Sequence, residues 1–143
     1  MDFPSLPLSD FLGIRAGSDG DLQMPMSKPI LNHVGTAHAG AQFVLAETGS
    51  GKCLRETFPD LYGKTLPVLR RSEVKYRGAG MKTLTAHASV DPDSVSRFRN
   101  EYDARGRSMI TIKVSVSDTA GTETLRAEFE WYVQKLPEDL AVR

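Results

Sequence analysis

Apolar and polar residues alternate in two long runs near the end of the chain, and these runs limit the folds that the chain can adopt. The first run covers residues 108–117 and the second covers residues 124–133. Side chains alternate between the two faces of a strand. One face of the second run therefore carries Leu125, Ala127, Phe129, Trp131 and Val133. The turn-forming segment Asp118–Gly121 lies between the runs, which together predict a long antiparallel hairpin with one buried face.

Shorter elements precede this hairpin. Residues 68–76 and 82–90 are predicted strands, and residues 92–105 are predicted to form a short charged helix. Residues 1–30 are rich in turn formers and predict an irregular N-terminal strand or hairpin. With one central helix, these elements predict an α+β fold, in which an antiparallel sheet of about five strands packs on that helix.

The central helix is predicted from residue 37 onward. At about 100° per residue, three small or apolar residues, Ala41, Val44 and Thr48, fall within roughly 40° of Ala37. Such a stripe suits a helix that packs closely against a sheet. Thr36 is expected to be its N-cap, and Gly49 and Gly51 are expected to end or kink it.

Composition and length exclude several classes of protein. The 143 residues indicate a single domain over residues 1–143. Eighteen basic and eighteen acidic residues balance to zero net charge, which disfavours a nucleic-acid partner. No apolar run reaches the roughly 20 residues of a membrane span. The N-terminus has no signal-peptide pattern, so a cytoplasmic protein without a membrane partner is expected.

Metal and disulfide chemistry are not expected either. Cys53 is the single cysteine, which excludes an internal disulfide and a cysteine-based zinc site. The three histidines, His33, His38 and His87, follow no spacing typical of a metal site.

A known signature is similar to the segment that leads into the helix. Residues 32–47 read NHVGTAHAGAQFVLAE, which resembles the N-x-x-G-x-x-H-G-G-x…L-A-D/E signature of hotdog-fold thioesterases, particularly the PaaI-like (phenylacetate-degradation) type. Residues 74–86 and 116–121 are similar to a strand-turn-strand and a late hairpin of that family, so the resemblance covers roughly residues 32–135. This sequence departs from the signature at Ala39, where the family has glycine. Alanine suits a helical conformation there but would be strained in a left-handed one.

The resemblance implies a hotdog fold and an enzyme that hydrolyses acyl-coenzyme A thioesters. Glu47 would be its nucleophile or general base. The backbone N–H groups of Ala39 and Gly40, at the helix N-terminus, would bind the oxyanion. Asn32 would orient the thioester carbonyl or a water, and His38 would shape the loop. No metal or redox cofactor is implied, since coenzyme A is part of the substrate.

Basic residues beside a glycine-containing turn are candidate contacts for the coenzyme A phosphates. Arg77 and Lys82 flank Gly78-Ala79-Gly80 and could make charge-assisted hydrogen bonds to phosphate.

The spacing of the candidate groups predicts a site shared between two chains. From Ala39 to Glu47 is eight residues, or about 12 Å along a helix, which is too far for both groups to act on one carbonyl. Two antiparallel copies would bring them together. Gly40 and Gly51 lie on the flank of the helix that carries Glu47, and glycine permits close approach of a partner. A homodimer, or a dimer of dimers, is therefore expected.

Other interpretations remain open. Glu47 could be a solvated helix carboxylate, and the domain could bind acyl thioesters without catalysis. A hotdog dehydratase or hydratase would need a His-plus-acid pair, and none is found outside residues 32–47. The acyl group is not specified by any motif.

Overall fold

The computed structural model describes residues 6–140, which form three α-helices and six strands. In chain order the elements are α1 (Pro7–Phe11), β1 (Arg15–Ala16), β2 (Leu22–Met24), α2 (Ala39–Thr57), β3 (Thr65–Tyr76), β4 (Leu84–Ser89), α3 (Pro92–Arg105), β5 (Arg107–Asp118) and β6 (Glu123–Lys135). Short 3₁₀ turns cover Lys28–Ile30, Pro59–Leu61 and Glu138–Leu140.

All six strands belong to one antiparallel sheet with the order β1-β2-β4-β5-β6-β3. The predicted late hairpin is confirmed, since β5 pairs with β6 from Arg107↔Gln134 to Ser117↔Glu123. The α+β class is confirmed as well. The expected number of about five strands is corrected to six, because the turn near Gly17–Asp21 joins two short strands into a hairpin, β1 and β2. The helix α1 before them was not predicted.

Helix α2 packs across the inner face of the sheet and forms the core with it. Leu45 and Ala46 on the helix are fully buried, as are Ile112 on β5 and Phe129 on β6. Burial extends around most of the helix rather than along one stripe, and Val44 is only half-buried. The sheet therefore encloses the helix more completely than the predicted apolar stripe indicated.

The start of α2 differs from the prediction. The helix begins at Ala39, and its N-cap is His38, whose Nδ1 accepts a hydrogen bond from the Gly40 N–H at 2.8 Å. The expectation that Thr36 caps the helix was wrong. Thr36 instead accepts a hydrogen bond from Asn32 Nδ2 through its hydroxyl at 2.8 Å.

The two glycines inside α2 neither end nor interrupt it, since the helix continues to Thr57. They lie where the helix faces the sheet. A Cβ on Gly49 would lie 3.2 Å from the Ala86 Cβ on β4, and a Cβ on Gly51 would lie 3.7 Å from the Trp131 ring on β6. Gly49 therefore allows the close contact between helix and sheet.

Strand β3 forms one edge of the sheet. One side of its backbone pairs with β6, and within residues 6–140 no strand pairs with the other side. Leu66 and Val68 on this strand are 50% and 42% exposed. A long edge strand of this kind is a template for pairing with another chain.

The helices are short or polar compared with membrane-spanning helices. Among the described residues, no helix combines the length and the apolar character that crossing a bilayer requires.

The two glycines of α2 give a test of this packing. Gly51→Ala should raise the free energy of unfolding by up to about 1 kcal/mol, because alanine favours a helix interior over glycine by about that amount. Its Cβ would make an ordinary contact with Trp131. Gly49→Ala should gain less or destabilise the protein, because its Cβ would lie 3.2 Å from that of Ala86. Urea denaturation of both variants measures this difference, and a larger gain for Gly49→Ala would contradict the packing.

Candidate active site

Glu47 lies near the middle of α2 and lines an apolar cavity of about 290 Å³. Its side chain is half-buried, and within residues 6–140 no hydrogen bond or ion pair holds the carboxylate. Burial therefore raises the pKa of Glu47 above its ordinary value of 4.5, because a less hydrated carboxylate is less stable in its charged form. A half-buried, unpaired carboxylate facing a cavity is an arrangement typical of functional sites.

The cavity lies between the second half of α2 and strands β3 and β6. Its apolar wall includes Leu54, Phe58, Leu61, Phe98, Trp131 and Val133. Glu47 and Arg55 bring charge to the wall of this cavity. An apolar cavity with a few polar groups is the usual form of a small-molecule site.

Ser50 fixes the wall of the cavity beside Glu47. Its hydroxyl donates to the Glu47 carbonyl at 2.7 Å and accepts from Trp131 Nε1 at 3.0 Å. The Ser50 side chain is fully buried. These contacts hold the indole ring against the helix, so that Ser50 positions the wall of the cavity.

The N-terminus of α2 offers an exposed backbone donor at Ala39. Ala39 is exposed, and its N–H has no hydrogen-bond partner in the described part of the chain. The Gly40 N–H donates to His38 Nδ1. Ala39 begins the helix, and within residues 6–140 only glycines have a positive φ, so alanine is unstrained at this position. Tyr76, at the end of β3, donates its hydroxyl to the Ala39 carbonyl at 3.2 Å.

Asn32 orders the loop before the helix. Its Oδ1 accepts the N–H groups of Val34 and Thr36 at 3.1 and 3.0 Å, while its Nδ2 donates to the Thr36 hydroxyl. The side-chain amide is thus used within the loop, and this geometry favours a role in positioning the helix start.

The candidate residues form two groups rather than one. Asn32, His38, Ala39 and Gly40 lie together at the start of α2, whereas Glu47 lies eight residues further along the same uninterrupted helix. That separation is about 12 Å.

The glycine flank predicted for a partner helix is partly covered by this chain's own side chains. Gly51 lies over Trp131, and a Cβ on Gly40 would lie 3.1 Å from the His38 ring. Gly40 itself is exposed, and approach of a partner helix along these two glycines remains a prediction. The open edge of β3, which sequence reasoning missed, offers a further surface for self-association.

The predicted phosphate contacts lie on the β3–β4 connection. Arg77 is half-exposed, and its Nε lies 3.3 Å from Glu123 Oε1. A Cβ on Gly78 would lie 2.7 Å from Thr122 Cγ2, so this glycine permits close packing on the β5–β6 turn. Lys82 is exposed near Asp118. Burial alone would raise the pKa of Asp118, but hydrogen bonds from three backbone N–H groups outweigh this effect and lower it.

The same connection lies next to the helix N-terminus. The Ala37 N–H donates to the Gly80 carbonyl at 2.9 Å, which joins the β3–β4 connection to the segment that leads into α2. The basic residues and the free Ala39 N–H therefore belong to one end of the molecule. Within residues 6–140, no group of three or more His, Cys, Asp or Glu side chains is placed to hold a metal ion.

Comparison with solved structures defines the class of fold. The chain is 20% identical to a protein of unknown function from Pseudomonas aeruginosa described as a probable thioesterase, covering 92% of this chain and 89% of that one with a TM-score of 0.79. A thioesterase from Haemophilus influenzae is 17% identical, with 93% and 86% covered and a TM-score of 0.72. A Bacillus halodurans protein solved with coenzyme A is 20% identical, with 91% and 77% covered and a TM-score of 0.71. The chain has the hotdog fold of these proteins.

The family is shown by sequence. The family model of DUF4442, a domain of unknown function, matches residues 10–133, and the chain belongs to this family. No curated protein matches it significantly. The expected PaaI-like subfamily remains a prediction.

Sequence reasoning missed three side chains of the cavity. Trp131 was assigned only to the buried face of β6, and Arg55 and Tyr62 were not considered. Arg55 follows Glu47 by eight residues, so helical spacing alone could have placed both on one side of α2.

The environment of Glu47 predicts a pH-dependent effect of Glu47→Gln on stability. Because the folded pKa is raised, the stability contributed by Glu47 is fully present below about pH 4.5 and is lost as the pH rises through the folded pKa. Glutamine stays neutral throughout. The variant should therefore be more stable than the parent near pH 8, with a difference that shrinks towards zero near pH 4.

Thermal melts from about pH 4 to pH 8 measure this effect. Glu101→Gln on α3 is the matched control, because Glu101 is an exposed helical glutamate. An advantage of Glu47→Gln that stays constant across the range would show that the Glu47 carboxylate is not desolvated in the folded protein.

Proposed function

We propose that this protein is an acyl-coenzyme A thioesterase, which hydrolyses a thioester to a carboxylic acid and free coenzyme A. The observation that carries the proposal is Glu47, a half-buried carboxylate that pairs with no group in residues 6–140 and lies in the wall of an apolar cavity. The fold is shared with proteins called thioesterases and with two that were solved with coenzyme A.

In this proposal Glu47 acts in its charged form. It either attacks the thioester carbonyl, which breaks the C–S bond, releases the coenzyme A thiolate and leaves an anhydride for water to hydrolyse, or removes a proton from a water that attacks the carbonyl and displaces the same thiolate. The thiolate takes up a proton to give free coenzyme A. The apolar cavity receives the acyl group. Both routes place negative charge on the carbonyl oxygen. A hydrogen-bond donor in a fixed position must stabilise this charge.

The proposed oxyanion donor is the Ala39 N–H at the start of α2. It has no partner in residues 6–140, and the helix dipole favours negative charge there. The Gly40 N–H would join it by leaving His38 Nδ1 or by sharing its hydrogen between two acceptors. Asn32 and His38 act in this proposal as positioning residues for the helix start.

The active site would be shared between the two protomers of a homodimer, or of a dimer of dimers. Glu47 and Ala39 are about 12 Å apart along one helix. A second copy that approaches in antiparallel orientation would bring its Ala39 towards this Glu47. The open edge of β3 supports such an assembly, because antiparallel pairing of two edges would continue the sheet across both protomers.

Coenzyme A would bind near the helix N-terminus. Arg77, Gly78 and Lys82 lie on the β3–β4 connection, which is hydrogen-bonded to the segment before α2. Arg77 keeps half of its side chain exposed despite the contact with Glu123, and Lys82 is exposed. Both can donate charge-assisted hydrogen bonds to phosphate. We place the enzyme in the cytoplasm.

Turnover should depend on the charge of Glu47. Glu47→Ala and Glu47→Gln should abolish hydrolysis across a panel of short, medium, long and aromatic acyl-coenzyme A substrates. In the parent, kcat/KM should fall on acidification through the raised pKa of Glu47, since the protonated carboxyl neither attacks nor accepts a proton.

Release of free thiol over a range of pH measures both effects. Full activity of Glu47→Ala would remove this residue from the mechanism. Binding of acyl-coenzyme A by the parent without turnover would favour the non-catalytic module.

Mixed dimers test whether the site is shared. Ala39→Pro removes the N–H of the first helical residue, where proline is tolerated, and His38 already has the extended backbone that precedes proline (φ −63°, ψ 135°). Losing one oxyanion donor typically costs about 10²–10³ in kcat. Homodimers of Ala39→Pro and of Glu47→Ala should therefore be nearly inactive.

Co-refolding the two variants should restore activity. In a mixed dimer, one site would contain both substitutions and the other would keep an intact Glu47 and an intact Ala39. Circular dichroism of each variant and tagged pull-down of the mixed dimer are the controls. If folded mixed dimers stay inactive, each site uses a single chain.

A further inference from the structure

A second charged side chain lines the cavity that holds Glu47. Glu47, Gly51 and Arg55 follow one another at intervals of four residues along α2, and all three line the cavity. Side chains at this spacing lie on the same side of a helix. Gly51, in the middle, has no side chain, so the space between the two charged residues is unobstructed on the helix side.

Arg55 has no counter-ion in residues 6–140. Its Nε and Nη1 atoms are buried, and their N–H groups donate to no acceptor there. The ring of Tyr62 lies over the guanidinium at 3.8 Å from its centroid, which leaves the N–H groups in the guanidinium plane unsatisfied. The neighbouring Glu56 pairs with Lys52. Buried N–H groups without an acceptor are costly, and an acceptor that pairs with them recovers that free energy.

We propose that the acyl group bound in this cavity ends in a second carboxylate, which pairs with Arg55. The substrate is then the coenzyme A monothioester of a dicarboxylic acid, with its thioester carbonyl at Glu47 and its free carboxylate at Arg55. This inference rests on the proposed thioesterase function. Guanidinium N–H groups match the two oxygens of a carboxylate in geometry and charge.

The spacing along α2 indicates the length of this acyl chain. Arg55 lies eight residues beyond Glu47, or about 12 Å along the helix. An extended chain advances about 1.2 Å per bond, so about ten bonds span that distance. The structure therefore favours a chain of about eight to ten carbons.

The single tryptophan gives a readout that does not depend on catalysis. Trp131 is the only tryptophan of the chain, and it lines the cavity. Its fluorescence therefore reports occupancy of the cavity. The probes are two thioethers that cannot be hydrolysed, S-octyl-coenzyme A and S-(7-carboxyheptyl)-coenzyme A, which have eight-carbon chains and differ in the terminal carboxylate.

The parent should bind the carboxylated probe at least about tenfold more tightly than the octyl probe, as expected for a charge-assisted hydrogen bond in a dry site. Arg55→Met should abolish this preference by weakening the carboxylated probe while leaving octyl binding unchanged or tighter. Arg55→Lys, which keeps the charge without the planar fork, should retain part of it. Tyr62→Phe keeps the ring over Arg55 and should retain all of it.

The inference would be overturned if the parent bound the two probes with equal affinity, or if it bound neither of them. An equal loss for both probes in Arg55→Met and Arg55→Lys would overturn it as well, because it would show that Arg55 acts only in stabilising the fold. Hydrolysis of the matching thioesters, octanoyl- and 7-carboxyheptanoyl-coenzyme A, separates the two proposals. Preference for the carboxylated probe without hydrolysis of either thioester would refute the thioesterase function alone, whereas hydrolysis without preference would refute the role of Arg55 alone.

Discussion

The structure is organised around the close packing of α2 on the sheet. At Gly49 the helix approaches β4 so nearly that an added Cβ would lie 3.2 Å from that of Ala86. This contact sets the height of the helix above the sheet. Towards β3 and β6 larger side chains such as Trp131 line the space under the second half of the helix, and a cavity remains there. The cavity is thus a consequence of how the helix is held.

One helix then carries the three groups that would contact the reacting carbonyl and the far end of the acyl chain. Its first residue, Ala39, has an N–H without a partner in residues 6–140, its middle carries Glu47 and its second half carries Arg55. Because α2 is rigid and continuous, these groups keep fixed separations of about 12 Å each. The first separation is too long for one thioester carbonyl and supports a shared site. The second is within the reach of a medium-length acyl chain and supports recognition of its far end.

Some polar groups around α2 have hydrogen-bond partners within the chain and others do not. This difference distinguishes structural from functional roles. Asn32, His38 and Ser50 have hydrogen-bond partners within the chain, so their contacts explain the shape of the loop and of the cavity wall. Glu47 and the buried N–H groups of Arg55 have none in residues 6–140. Because an unsatisfied buried charge costs stability, these two side chains are the ones that a ligand would engage.

Local periodicity and turn composition were sufficient to predict the α+β class, the β5–β6 hairpin and α3. A signature in residues 32–47 also made Glu47 a candidate. The His38 cap is a local contact with the Gly40 N–H, but Thr36 also carries a side chain that can accept from a helix start, and the residue types alone did not separate the two. The folded structure was needed to show that the helix continues through Gly49 and Gly51, that β3 is an open edge, and that Trp131, Tyr62 and Arg55 meet around a cavity. Local sequence patterns describe the neighbours of a residue along the chain, whereas a tolerated glycine, an open edge and a cavity depend on which distant residues the fold brings beside it.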